Sequence, residues 1–246
     1  MMSFAMHKQA NTSPLLWKLD SISSLSDEEK RALLDLPMNV KVFEADNDIV
    51  RDGDRPSDCC LILSGFVCRY KVLSDGRRQI MGFYVPGDIP DLQSLHLHVM
   101  DHSIGTLVTS SIALIPHESL RNLLMQHPGL TGAFWRDTLI DAAMFREWMI
   151  GMGRRSAYQR IAHLLCELQM RLRAVGLAGE NGYDLPVTQN ELGDALGLST
   201  VHVNRVLQDL RSEGLLALHG GTLHVPDWEA LQVAGDFDPA YLHLKR

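Results

Sequence analysis

Residues 187–207 read Val-Thr-Gln-Asn-Glu-Leu-Gly-Asp-Ala-Leu-Gly-Leu-Ser-Thr-Val-His-Val-Asn-Arg-Val-Leu, and this stretch decides the fold. Thr188 and Glu191 form a capping box: the hydroxyl accepts from the Glu191 amide while the carboxylate reaches back to the start of the helix. Gly193 is small enough for two helices to cross closely, and Gly197 takes the positive φ of a tight turn. Ser199 follows as the N-cap of a second helix. Leu192, Leu196, Leu198, Val203 and Val206 supply a shared core, so residues 190–210 spell a helix-turn-helix. Downstream, Leu215–Leu218, Gly220-Gly221 and Thr222–Val225 read as strand, turn and strand, which makes a wing.

With Ser199 as cap, Val203, Val206, Leu207 and Leu210 point inward. Thr200, Val201, Asn204, Arg205 and Gln208 then share the outward face. In a DNA major groove Arg205 can fork onto guanine O6 and N7, Asn204 or Gln208 can read adenine, and Val201 can touch a thymine methyl. Thr188, Gln189, Ser199 and His202 are placed for phosphates. The competing reading, a C-terminal domain that binds protein, keeps the same helices but leaves the wing and the Arg205 face without a purpose.

The chain of 246 residues suffices for one large or two modest domains, and 46% hydrophobic with 22% charged residues is ordinary for a globular protein. Its net charge of −7 is a caution against nucleic acid. Residues 154–173 soften it: Arg154, Arg155, Arg160, Arg171 and Arg173 face Glu167 alone, a local excess of four positive charges. A basic face is enough, because the phosphate interaction is local. No apolar run of 18 residues is present and Met1–Pro14 lacks a signal pattern, so the expected location is the cytoplasm, with no membrane partner. No phosphate loop, nucleophile elbow or H-E-x-x-H occurs, and an enzyme with catalytic or metal-ligating residues is not expected.

Upstream, residues 26–36 read as a short helix capped by Ser26 and Glu29. From Val40 to Ile115 short apolar runs alternate with turns, among them Asp75-Gly76, as in an antiparallel sandwich or barrel. Residues 117–126 form a short helix, His127-Pro128-Gly129 breaks it, and Leu130–Met152 form a long one. Apolar residues on more than one of its faces, including Met144 and Trp148, suggest packing on its own domain and on a twin in a two-fold dimer; burial inside one large domain is the alternative. Gly151 and Gly153 offer a hinge before a basic helix over 155–174. Cys59, Cys60, Cys68 and Cys166 lack C-x-x-C spacing and read as reduced, mostly buried thiols, with a redox role for Cys59 and Cys60 as the alternative.

The order of β-domain, long helix and winged helix-turn-helix, with the quoted motif, Asp52-Gly53-Asp54, Leu63-Ser64-Gly65 and Pro86-Gly87-Asp88, resembles the catabolite-activator/FNR (Crp/Fnr) family of bacterial regulators from Val40 to Val225. The resemblance implies an α+β chain. A cyclic-nucleotide-binding-like β jelly roll (1–128) precedes a dimerisation helix (129–153) and a winged helix-turn-helix (154–246). It also implies a homodimer that reads an inverted repeat in double-stranded promoter DNA and works with RNA polymerase. In nucleotide-responsive members a Glu holds the ribose and an Arg-Ser pair the phosphate. Here Asp91 stands for the Glu and His102-Ser103 for the Arg-Ser pair, so the effector pocket falls on Asp91, His102 and Ser103. A neutral imidazole gives up the bidentate fork, so cyclic AMP is not the expected effector. Iron–sulfur sensing is rejected because residues 1–58 hold no cysteine. Haem, through Cys68 or His96, His98 and His102, ranks below an effectorless core. Val201 replaces a Glu common in the family, so the familiar half-site is not assumed; Arg205 matches the family arginine.

Overall fold

The computed structural model describes residues 13–245, which excludes most of the segment read for a leader. Two helices open it, α1 (Pro14–Ile22) and α2 (Asp27–Leu34), the second capped by the Ser26–Glu29 box. A roll of seven strands follows: β1 (Asn39–Phe43), β2 (Asp48–Val50), β3 (Asp58–Ser64), β4 (Val67–Val72), β5 (Arg78–Tyr84), β6 (Ser103–Thr106) and β7 (Ser110–Pro116). They form two antiparallel sheets, β1-β7-β3 and β2-β6-β4-β5. Cys59–Ile62 of β3 is buried residue after residue, as a strand covered on both faces requires. Asp75-Gly76 closes the β4–β5 hairpin, with Gly76 at φ +84°.

Helix α3 (His117–Gln126) leads into the long α4 (Pro128–Arg154). The break between them is shorter than the sequence suggests. His127 alone is non-helical, and Pro128 begins α4, because proline at the first helical position gives up an N–H that would be unpaired anyway. Gly151 and Gly153 make no hinge: the helix runs through both. The chain turns instead at Arg155, where Ser156 and Gln159 cap α5 (Ala157–Ala174) with a second box.

The apolar residues of α4 divide into two sets. Leu130, Phe134, Ile140 and Met144 are buried against their own chain, as is much of Trp148, whose indole N–H donates to Glu167 at 3.1 Å. Trp135, Leu139, Phe145 and Met149 are exposed. Thus Met144 and Trp148 belong to the intramolecular face, and the unpartnered stripe lies elsewhere.

The C-terminal part contains β8 (Gly182–Asp184), α6 (Gln189–Leu196), α7 (Thr200–Ser212), β9 (Ala217–His219), β10 (Thr222–His224) and α8 (Trp228–Gly235). Strand β8 adds a third member to the wing, in the order β8-β10-β9, and α8 packs on α5. One continuous apolar cluster joins the roll to this part, running from Phe66, Ile80 and Phe83 through Met144 to Leu165 and Val206.

Candidate nucleic-acid interface

Helix α6 begins at Thr188, which accepts from the Glu191 amide at 3.2 Å while Glu191 accepts from the Thr188 amide at 2.6 Å. The turn is set by Gly197 at φ +63°, and the Leu198 amide donates to the Gly193 carbonyl at 3.0 Å. A side chain on Gly193 would meet the Leu198 carbonyl oxygen at 2.6 Å, so glycine is required there. Ser199 caps α7 by accepting from the His202 amide at 3.3 Å. This geometry buries Val203, Val206, Leu207 and Leu210. Thr200, Val201, Arg205 and Gln208 are left exposed, with His202 and Asn204 half-buried. Val201 is 81% exposed, an unusual position for a β-branched apolar residue without a partner.

The polar members of this face are joined by one pair at i, i+4 and one across the two helices. Asn204 Nδ2 donates to Gln189 Oε1 at 3.0 Å, and Gln208 Nε2 donates to Asn204 Oδ1 at 3.0 Å. Asn204 is therefore held by two neighbours, and Gln208 keeps its carbonyl oxygen free. No hydrogen bond or ion pair holds Arg205 among the described residues, so its guanidinium stands free at the centre of the face. The wing turns at Gly220-Gly221, both with positive φ.

The basic segment at 154–173 does not form a face. Arg171 is buried, its Nη2 2.8 Å from Asp88 Oδ2 and its Nη1 3.2 Å from Glu167 Oε1. Arg155 pairs with Glu147 at 2.6 Å, and Arg160 donates to the Leu196 carbonyl at 2.6 Å. Arg154 and Arg173 alone of the five are exposed. The local charge excess counted from the sequence is thus mostly spent inside the protein.

In the roll, Asp91, His102 and Ser103 are each engaged by partners of their own. Asp91 is buried and accepts from the Cys60 amide at 2.8 Å; burial pushes its carboxyl up to about 6. His102 lies between Asp101 (2.6 Å) and Gln93 (3.2 Å), and burial with the nearby Arg69 guanidinium holds its imidazole below the ordinary range, against the pull of Asp101. Ser103 accepts from the Asp52 amide. A cleft nearby, between the roll, α1 and α4, is crossed by the protein's own ion pairs: Lys18–Asp88 at 2.6 Å and Arg69–Asp141 at 3.0 Å. The four cysteines are buried free thiols, and burial pushes Cys68 up to about 12. His96 and His98 are exposed.

A β-roll joined by a long helix to a winged helix-turn-helix defines a DNA-binding transcription regulator, not an enzyme. Residues 159–234 match the Crp-like helix-turn-helix domain, and residues 40–127 match the cyclic nucleotide-binding domain. The nitrogen fixation regulation protein FixK of Bradyrhizobium diazoefficiens is 30% identical over 202 residues, covering 81% of this chain and 83% of the relative. Transcriptional activator protein FnrA of Stutzerimonas stutzeri is 28% identical over 204 residues, 83% of each chain. The solved structure of FixK2 from Bradyrhizobium japonicum superposes with a TM-score of 0.73 at 26% identity, over 81% of this chain and 98% of that one. The chain belongs to the Crp/Fnr family. Membership favours DNA over protein as the target of the C-terminal domain. No helix among the described residues is long and apolar enough to cross a membrane.

Proposed function

We propose that the protein is a homodimeric regulator in the cytoplasm that grips an inverted-repeat promoter site through two copies of α7. In this reading residues 1–128 form the sensor roll, 129–153 the dimerisation helix and 154–246 the DNA-binding unit. Arg205 and Val201 read bases, with Gln208 beside them, while Thr188, Gln189, Ser199, Thr200 and His202 meet backbone phosphates and Asn204 orders the amides around it. The observation that carries the reading is the exposed row Val201–Arg205–Gln208, spaced i, i+4, i+7 on a helix whose opposite side is fully buried. The free stripe Trp135, Leu139, Phe145 and Met149 supports self-association, and RNA polymerase is the partner expected of a family member at a promoter.

The roll is not a cyclic AMP site in this reading. The His102 imidazole is held below its ordinary range by burial and Arg69 and is engaged at both ring nitrogens, and Asp91 is turned onto β3. Binding-site selection from random DNA with the purified protein tests the proposal. The expected product is an inverted repeat with half-site centres about 34–36 Å apart, one helical turn. Recovery of a single asymmetric site, or an affinity that responds to cyclic AMP, overturns it.

A further inference from the structure

The turn between α4 and α5 holds chemistry that DNA reading does not use. The end of α4, the start of α5 and the end of α6 border a shallow recess that opens to solvent. Trp148, Met152, Leu164 and Leu196 give it apolar walls. Two guanidinium groups line it as well. The Arg155 side chain is 9% exposed: Nη2 binds Glu147 Oε1 at 2.6 Å and the Asp236 carbonyl at 3.3 Å, and Nε lies 3.4 Å from the largely exposed Asp236 carboxylate. Its Nη1 is buried with no partner among the described residues. Arg160 spends Nη1 on the Leu196 carbonyl and touches Met152 Sδ, but its Nε is likewise buried and unpartnered. No carboxylate among the described residues lies within ion-pair distance of Arg160. Burial alone holds its guanidinium below the ordinary range.

Buried polar hydrogens without an acceptor are rare, because each forfeits the hydrogen bonds it made to water. Two on neighbouring cations are rarer still, and a carboxylate is the acceptor that suits them. Gly151 leaves the approach open: a Cβ built there would stand 3.8 Å from Arg155 Nη1 and 3.8 Å from Arg160 Cγ. Both arginines therefore border one spot over Gly151, beside the indole of Trp148. His163 and Glu147 also line the recess, but both are engaged: the His163 ring nitrogens by the Gly235 carbonyl and the Tyr241 hydroxyl, each at 3.1 Å, and Glu147 by Arg155 Nη2.

We propose that this cleft binds a small carboxylate carried on an aromatic or short aliphatic body. The carboxylate sits over Gly151 on Arg155 Nη1 and Arg160 Nε, and the body lies against Trp148 and Leu196. The occupant joins the long helix to the first helix of the helix-turn-helix, across the turn at Arg155. It thus acts away from Asp91, His102 and Ser103, and its binding is read without DNA.

The test is a titration of the full-length protein with sodium benzoate and sodium hexanoate, followed by thermal melting and tryptophan fluorescence. Benzamide, hexanamide and inorganic phosphate at matched ionic strength are the controls. At least one carboxylate is expected to raise the melting temperature saturably, while the amides and phosphate leave it unchanged. Gly151→Ala fills the approach without a close contact and should weaken binding by about tenfold, the loss of one charge-assisted hydrogen bond. Arg160→Lys keeps the charge but removes Nε, and should weaken it similarly. The proposal is overturned if neither carboxylate acts at millimolar concentration, if amide or phosphate acts equally, or if both variants bind as tightly as the parent.

Discussion

Arg171 of α5 and Asp88 of the roll meet in a buried ion pair, Nη2 to Oδ2 at 2.8 Å, with each side chain 5% exposed. The pair lies inside a wider network. Asp88 also receives Lys18 of α1 at 2.6 Å and the Val85 amide at 2.9 Å, and Arg171 donates to the Phe83 carbonyl at 2.8 Å. Burial opposes ionisation of Asp88, yet the two cations outweigh it and hold its carboxyl below the ordinary range. An electrostatic contact thus ties α5 to the β-roll, alongside Arg78–Asp194 at 2.8 Å between β5 and α6.

The first expected outcome concerns that tie. Removing one partner of a buried pair leaves the other charge uncompensated, which costs about 3–5 kcal/mol. Lys18 still neutralises Asp88, but Glu167 loses its cation, so Arg171→Met should fall within that range, about 3–5 kcal/mol. The double variant with Asp88→Asn should recover part of the loss. Urea denaturation of the four proteins measures this; a double variant as costly as the sum of the singles would show that the two residues act independently.

Assembly should depend on the exposed stripe of α4 rather than on its buried side. Trp135→Glu or Met149→Glu is expected to yield a folded monomer in sedimentation velocity, with DNA affinity lost along with the dimer. Met144→Glu should instead unfold the chain, since that side chain sits in the cluster shared by the roll and the DNA-binding unit. A parent protein that sediments as a monomer at micromolar concentration contradicts the assignment.

What could be read in the sequence was whatever depends on near neighbours. The Thr188–Glu191 and Ser26–Glu29 boxes, the Gly197 turn and the Asp75-Gly76 hairpin are decided within a few residues, and each stands where expected. The Ser156–Gln159 box is equally local, whereas the glycines at 151 and 153 are not breaks, because a helix tolerates both where packing supports it. Arg171 could not be placed, because its acceptor is 83 residues away in another part of the fold. For the same reason the Gln189–Asn204 link was hidden: helix crossing brings 189 and 204 together, not periodicity. Strand β8 is three residues long and exists only as a partner for β10. Of the residues expected to form an effector pocket, Asp91 and His102 were legible as residue types, but their partners Cys60 and Gln93 were not.

Asp91 carries a pH dependence of definite sign. Its carboxyl is raised to about 6, chiefly by burial, with Oδ2 unpartnered among the described residues. The folded state therefore holds the proton more tightly than the unfolded chain does. This group's contribution is fully present below about pH 4, declines as pH rises toward 6 and is lost above it. The shift corresponds to at most about 3 kcal/mol. Asp91→Asn cannot ionise and keeps an acceptor for the Cys60 amide, so it should be more stable than the parent at pH 7.5 and similar at pH 4. Chemical denaturation at the two pH values decides; a variant less stable than the parent at pH 7.5 would mean that the ionised carboxylate is needed.

The last expectation separates base reading from backbone contact on α7. Arg205 is free, central and flanked by Val201 and Gln208, whereas Thr188 is committed to its cap. If Arg205 forks onto a guanine, Arg205→Ala should cost about 1–3 kcal/mol on the preferred site and flatten preference at one base pair in each half-site. Thr188→Ala should lower stability by about 1 kcal/mol through the lost cap and weaken all DNA sequences alike. The contrast follows from what each contact touches: a base edge differs between sequences, while a phosphate does not. Site selection repeated on both variants distinguishes the two. Should Arg205→Ala lose affinity evenly and keep its base preference, Arg205 clamps a phosphate. The bases would then be read by a face of α7 rotated toward Thr200 and Asn204.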